Sequence, residues 1–480
     1  MDSVAFSGLL HVEPPHSKLP SQPERALSVT HAIQNHEHDL VELASLKPTD
    51  PTASGPARRA AGASYTGSPV AEEAAAEVFP SIFSSRKDKL RLAACCSMSF
   101  TGGLNDSAAG ALIPYMETHY NIGYGTVSLI FVGVAIGFIT AAPFVDSLQA
   151  RFGSARAFGI CMMFLIAGYI PIICAVPIPA IVVSFFLVGF GLATSLSMYN
   201  VFLANLPSAG TALGMAHGSY GVGGIVGPLI ATSMVSNGVS WSMYYLITLG
   251  LAIFNLGFAP WTFWTFEQET QTELGPVETS QRGTQQLKAM LQAFRTKVVL
   301  LGALFIFAYQ GSEVSISGWV ISFLITMRNG DPTRVGYVSS GFWAGITLGR
   351  FFLSPLAARI GEKRFVYGIV AGATIFELLV WLVPNVIGNA VALAIVGLLL
   401  GPVYTGAAVI FTRNLSRKEQ ASGMAVISAF GSSGGAIAPF TTGILAQAVG
   451  TFVLHPIAIG LFAVMMISWF CIPTPRKRTE

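Results

Sequence analysis

The sequence predicts an all-α membrane protein with twelve transmembrane helices in two pseudo-symmetric six-helix bundles, and three observations carry that reading. Charged residues are 11% of the 480-residue chain and apolar residues 52%, where an ordinary soluble protein has about 25% charged; mean hydropathy is +0.61. Apolar stretches of about 20 residues recur from Leu92 onward, the length that crosses roughly 30 Å of hydrocarbon at about 1.5 Å per residue. Landmarks of the first half of this region then return in the second at a nearly constant offset. The net charge of +3 gives no bulk field that would draw nucleic acid.

Residues 1–88 are rich in Pro, Ser and Ala with mixed charge and hold no apolar run long enough to pack or span, so they read as a disordered cytoplasmic tail. His31, His36 and His38 lie there without the Cys or carboxylate spacing of a metal site, and no metal or cofactor is expected. The extreme N-terminus has no basic stretch followed by a short apolar run, so the first span should itself carry the targeting information.

The predicted spans are 92–114, 124–146, 156–176, 180–205, 212–235 and 241–266, then 298–325, 335–358, 364–384, 389–412, 421–448 and 452–473. A polar linker, 267–297, divides them six and six. The resulting organisation is an N-terminal bundle over 89–266, a C-terminal bundle over 298–473 and a basic cytoplasmic tail over 474–480. Lys and Arg near the span ends number nineteen on the side holding both tails and the linker, against Arg328 and Arg334 on the other. Positive charge stays in the cytoplasm, which puts both termini and the linker there.

The repeat is visible residue by residue. Phe100 precedes Asp106 by six residues, and Phe307 precedes Glu313 by six. GVAIG at 133–137 leads to Pro143, Arg151, Gly153 and Arg156, while GITLG at 345–349 leads to Pro355, Arg359, Gly361 and Arg364. GMA at 214–216 before Pro228 echoes GMA at 423–425 before Pro439. A six-helix unit has been duplicated in parallel orientation.

Two parallel six-helix halves, a cytoplasmic linker and a Gly-x-x-x-Gly helix leading to an Arg-x-Gly-x-x-Arg turn resemble the major facilitator superfamily over 90–473. The first span, FTGGLNDSAAGALIPYMETHY, is similar to the fucose-permease-like branch and its fungal relatives. The resemblance implies a secondary transporter working by alternating access, with gating contacts at the turns after the second and eighth spans. The candidates there are Asp146, Arg151, Arg156, Arg359 and Arg364. The turn departs from the family pattern, since Ala150 stands where an Asp is expected and Asp146 lies one helical turn earlier.

The membrane region bounds its own chemistry. No G-x-x-x-x-G-K-[ST] motif occurs, so the driving force should be an ion gradient rather than ATP. Asp106 and Glu313 sit at equal depth and equal repeat position. An ionisable group at that depth is costly unless it faces a partner or a wet cavity, and a carboxylate there can take a proton from one side and release it to the other. Both are proton-coupling candidates, joined by His217, which titrates in the physiological range. The plain alternative is that each carboxylate only bonds its neighbours.

Arg350 has Phe138 at the matching first-half position. It reads as an anchor for an anionic substrate, as counter-ion to Glu313, or as a structural partner of Glu377. Asn105, Asn200, Tyr309, Gln310, Ser317, Trp319, Trp343 and Tyr404 supply the aromatic faces and polar groups from which a small-ligand cavity is built, or else pack as belts. GGIVG at 223–227 before Pro228 is similar to a helix-five signature of proton antiporters, and equally to ordinary small-residue packing. The five cysteines lie in or beside apolar segments without ligand spacing. No nucleophile–base arrangement suggests an enzyme.

The expected function is secondary transport of a small organic metabolite coupled to protons, with export favoured. Proton–sugar uptake is the alternative, and a non-transporting nutrient receptor is the reading from another class. A monomeric transport unit in the lipid bilayer is expected, in the plasma membrane or in a vacuolar or peroxisomal one.

Overall fold

The computed structural model describes residues 85–206, 208–269 and 292–473. The N-terminal tail with its three histidines, most of the linker and the C-terminal tail lie outside the described residues.

The first span is the helix Arg86–Tyr120, begun by the Ser85 hydroxyl accepting from Asp88 N and closed by Asn121 in the left-handed region. The second comprises Tyr124–Val127 and Leu129–Ala141, breaks at Pro143, and continues into Val145–Ile173. That last helix also contains the third span, the two meeting at a kink where Gly153 has φ 75°. Ile178–Ala204 and Ala209–Ser236 are the fourth and fifth. A 3₁₀ turn, Trp241–Tyr244, opens the sixth, Tyr245–Phe263. In the second half the seventh is Lys297–Arg328, the ninth Glu362–Leu382, the eleventh Arg417–Val449, and the twelfth Leu454–Cys471 after the turn Thr451–Val453. The tenth is broken into Val386–Leu400 and Val403–Asn414 at Pro402.

The eighth span is the most irregular. It runs Pro332–Val335, Tyr337–Leu348, a π turn Gly349–Leu353, then Ser354–Ile360. Pro355 has no N–H to give the Phe351 carbonyl, so the α ladder cannot continue there and the wider turn takes its place. Arg350 lies inside that turn.

Ten of these helices are long and apolar enough to cross a membrane. The first and eighth spans are not among the ten. The first is diluted by Asn105, Asp106 and many Gly, Ser and Thr; the eighth is broken around Arg350. Polar residues and helix breaks have lowered the very signal by which spans are found.

The duplication reappears as packing. A Cβ on Gly223 would meet the Phe100 carbonyl oxygen at 2.3 Å, and one on Gly434 would meet the Phe307 carbonyl oxygen at 2.1 Å. Phe100 and Phe307 are the repeat-related pair, so the first span packs on the fifth as the seventh packs on the eleventh. GVAIG and GITLG behave alike, with Gly137 on the Phe186 carbonyl and Gly349 on that of Leu398.

The halves close on each other at the end away from the basic loops, called here the far side. Gly110 abuts the Ser317 carbonyl, Gly336 abuts Thr232, and Gly443 abuts Ser128 and Trp319. Tyr115 donates to the Pro332 carbonyl (3.3 Å). Towards the basic side the fifth span stays against the eighth as far as Gly218 and Phe351, and a Cβ on Gly214 or Gly210 would meet nothing within 4 Å.

Candidate functional site

Adjacent positions on a helix point about 100° apart, and the first span uses this to reach two neighbours. Buried Asn105 faces the third span, where Tyr169 donates to its Oδ1 (3.2 Å), while its Nδ2 donates to Asp106 Oδ1 (3.0 Å). Asp106 faces the fifth span, where Tyr220 donates to Oδ2 (2.8 Å). Both Asp106 oxygens therefore have a donor.

Glu313 is held differently. It is 8% exposed; its Oε1 lies 3.9 Å from Arg350 Nη2, and its Oε2 has no hydrogen-bond partner. A charge-assisted hydrogen bond is closer to about 2.8 Å, so the pair is an ionic contact without a formed hydrogen bond. Tyr309, one turn earlier on the seventh span, faces the same pair. Its ring centroid is 6.4 Å from that of Tyr404, whose hydroxyl meets Ser428 Oγ at 3.3 Å.

The two carboxylates are near enough to sense each other's charge. Tyr220 lies within the field of Asp106, Glu313 and Arg350. Its ring lies 6.0 Å from Trp343, whose Nε1 is buried without a partner. One turn towards the basic side, His217 is exposed and close to Arg350. The halves are thus in contact on the far side, while His217, towards the basic loops, is exposed. Unpaired polar atoms, an acceptor on Glu313 and a donor on Trp343, stand at the site with aromatic faces beside them.

The other predicted residues fall elsewhere. Asn200 on the fourth span has a buried Oδ1 without a partner, and Gln310 stands half-buried beside Gly435. Ser317 and Trp319 belong to the far-side seam: Trp319 Nε1 donates to the Pro439 carbonyl (2.8 Å) and its ring packs on Tyr124 and Phe131 of the second span. Glu377 does not meet Arg350; it pairs with His455 Nδ1 at 2.7 Å, both side chains fully buried, and His455 stands edge-on to Phe323. Asp146, Arg151, Arg156, Arg359 and Arg364 are all exposed, and among the described residues none is in a salt bridge. The turn at Gly153 is instead held by Glu267, whose carboxylate accepts from Ser154 N. At Gly361, with φ 96°, Glu362 bonds Arg413 at 3.1 Å.

Tyr169, Tyr220 and His455 were missed by sequence reasoning. For Tyr220 a signal existed, since it is the one large side chain in the run GSYGVGG at 218–224.

The sequence matches the Major Facilitator Superfamily over residues 95–329 and 314–480. The chain belongs to that superfamily. Its members are secondary transporters and not enzymes, and this chain is an integral multi-pass membrane protein of that kind. Among curated relatives, Bypass of stop codon protein 6 of Saccharomyces cerevisiae is 25% identical over 421 residues, covering 80% of this chain and 82% of that one. A putative glucose/galactose transporter of Helicobacter pylori is 26% identical over 292 residues, 56% of this chain and 67% of its own. Among solved structures, the D-xylose-proton symporter superposes with a TM-score of 0.63 at 12% identity, covering 82% of this chain and 99% of that one. The Escherichia coli fucose:proton symporter gives 0.56 at 15%, covering 80% and 98%. At such identities these superfamily structures share the fold alone.

Proposed function

We propose that the chain couples proton movement to transport of a small organic solute by alternating access, with Glu313 as the proton-carrying group. The observation that supports this is the difference between the two repeat-related carboxylates: Asp106 is bonded at both oxygens, whereas Glu313 has one ionic contact and one bare oxygen. A proton arriving at Oε2 neutralises Glu313 and removes its attraction for Arg350. The guanidinium is then released towards the solute, and the contact joining the seventh and eighth spans is weakened. Asp106, with Tyr220 and Asn105, positions the solute. His217 is the proton's way in or out on the basic side, which faces the cytoplasm.

Uptake is the direction favoured. The leaning towards export rested on GGIVG before Pro228, and those glycines are used in packing: Gly223 on Phe100, Gly224 on Trp343 and Gly227 on Ser107. Sugars, the solutes in the names of several relatives and neighbours, suit the aromatic and hydroxyl-bearing surroundings.

The test is flux in proteoliposomes against a solute panel with an imposed pH gradient. Glu313→Gln should lose gradient-driven accumulation by more than about tenfold, the scale of one charged contact, yet keep counterflow. Asp106→Asn should weaken solute affinity while leaving what flux remains coupled. Normal pH-driven accumulation by Glu313→Gln, measured per folded molecule, overturns the assignment.

A further inference from the structure

A cavity also lies apart from the carboxylate site. It is a groove of about 750 Å³ lined by Cys96, Ser97 and Phe100 of the first span, Met215, Gly218 and Val222 of the fifth, and Phe351 of the eighth, among others. A second cavity of about 460 Å³ shares Cys96, Met215 and Ser219 and carries the groove on to Leu92 and Lys89. Both are lined mainly by apolar surface.

The groove opens away from the transport site. Gly218 and Val222 each lie two residues from Tyr220, hence on the opposite side of the fifth span, about 200° round. Met215, Val222 and Leu229, seven residues apart, form an exposed apolar stripe on that side, which in a membrane faces lipid. We propose that this groove binds one phospholipid with an anionic headgroup, drawn from the leaflet on the basic side.

Length supports a lipid. From Lys89 to Phe100 is eleven residues of continuous helix, as is Thr211 to Val222. That is about 16 Å, close to half of the roughly 30 Å hydrocarbon layer. The groove therefore reaches from headgroup level to the midplane, the path of one acyl chain.

Charge supports an anionic one. Lys89 lines the mouth and is exposed, and neither it nor exposed Arg86 is in a salt bridge among the described residues. The acidic groups nearby are occupied, Glu269 by Lys87 (2.5 Å) and Arg91 (2.7 Å), Asp88 by Arg91 (3.1 Å). Basic residues at a membrane surface attract anionic lipid at about 1 kcal/mol each. The chain tip would lie on Phe351, next to Arg350 in the π turn and against Gly218 where the halves meet, so the lipid braces the seam in this state.

The experiment is native mass spectrometry of the purified full-length protein with phosphatidylglycerol or phosphatidylcholine added. The unaltered protein should retain one phosphatidylglycerol in preference to phosphatidylcholine by about fivefold or more. Lys89→Glu should abolish the preference, Val222→Trp should fill the groove and lower retention of both lipids, and Ile375→Trp, on an exposed position of the ninth span, should change neither. Equal retention of the two lipids by the unaltered protein, or an undiminished preference in Lys89→Glu, overturns the proposal. If Val222→Trp fails to fold, the Lys89→Glu result decides alone, because that side chain is exposed at the helix end.

Discussion

The two halves share a scaffold and differ in how they hold charge. The first and fifth spans pack through Gly223 on Phe100 as the seventh and eleventh pack through Gly434 on Phe307, and the second and eighth spans both break near a proline. In the first half the carboxylate is fully bonded and the position matching Arg350 is Phe138. In the second the carboxylate has one ionic contact, to an arginine on a π turn, and one bare oxygen, and a further buried acid–histidine pair, Glu377–His455, lies in the same half. In the proposed mechanism the duplicated packing is the frame that rocks, and the unequal bonding is the part that responds to a proton.

The comparison can be broken hardest through the shared frame. Gly223→Leu and Gly434→Leu both drive a side chain into backbone that cannot yield, which costs more than the roughly 1–3 kcal/mol of ordinary overpacking. Each should abolish monodisperse protein in size-exclusion chromatography. Tolerance in one half only would show that the halves are not equivalent in packing.

Next comes the charge itself. Arg350→Gln leaves Glu313 without its ionic contact, and loss of one member of a buried pair costs about 3–5 kcal/mol. With Arg350 a quarter exposed, the lower end or less is expected, read as a drop in melting temperature. Adding Glu313→Gln should recover the stability and leave accumulation absent. Tyr220→Phe, in the first half, removes one hydrogen bond to a charged group and should cost about 1.5–3 kcal/mol, with solute affinity reduced but proton coupling kept.

The smallest effect lies in the loop before the eighth span. Asp331 accepts from the Thr333 hydroxyl (2.7 Å) and backbone N (2.9 Å), and these bonds hold its carboxyl below the ordinary range. A depressed folded value means stabilisation that is present above about pH 4, the unfolded value, and lost as pH falls through the folded one. Thr333→Ala should slightly reduce stability at neutral pH and flatten its decline in acid, seen as a smaller spread of melting temperatures between acid and neutral pH. The corresponding first-half loop, 121–123, has no acid.

Hydropathy and the repeat made the spans and the equal depth of Asp106 and Glu313 legible, because both depend on residue type along one dimension. What a side chain meets depends on how each helix is rotated, where one residue changes direction by about 100°. Trp319 therefore reads as a cavity aromatic but packs in the far-side seam, and Glu377, paired on paper with Arg350, finds His455 three spans later. The π turn was equally hidden, since Pro355 announces a break without saying that Arg350 would be carried by it.

The ends of the first, second, third and sixth spans are tied together. Arg91, at the start of the first, is buried against Phe263 and Phe266 and bonds both Glu269 and the Thr262 carbonyl, while Lys87 bonds Glu269 from the same side. Glu267, two residues from Glu269, holds the turn between the second and third. Every partner in this clasp precedes the seventh span in the chain. Synthesis runs at about 5–20 residues per second, so the bundle has on the order of ten seconds or more to close while the second half, nearly as long, is still being made. The order of translation thus lets the fully bonded carboxylate be sealed among its own donors before Arg350 exists to compete for it.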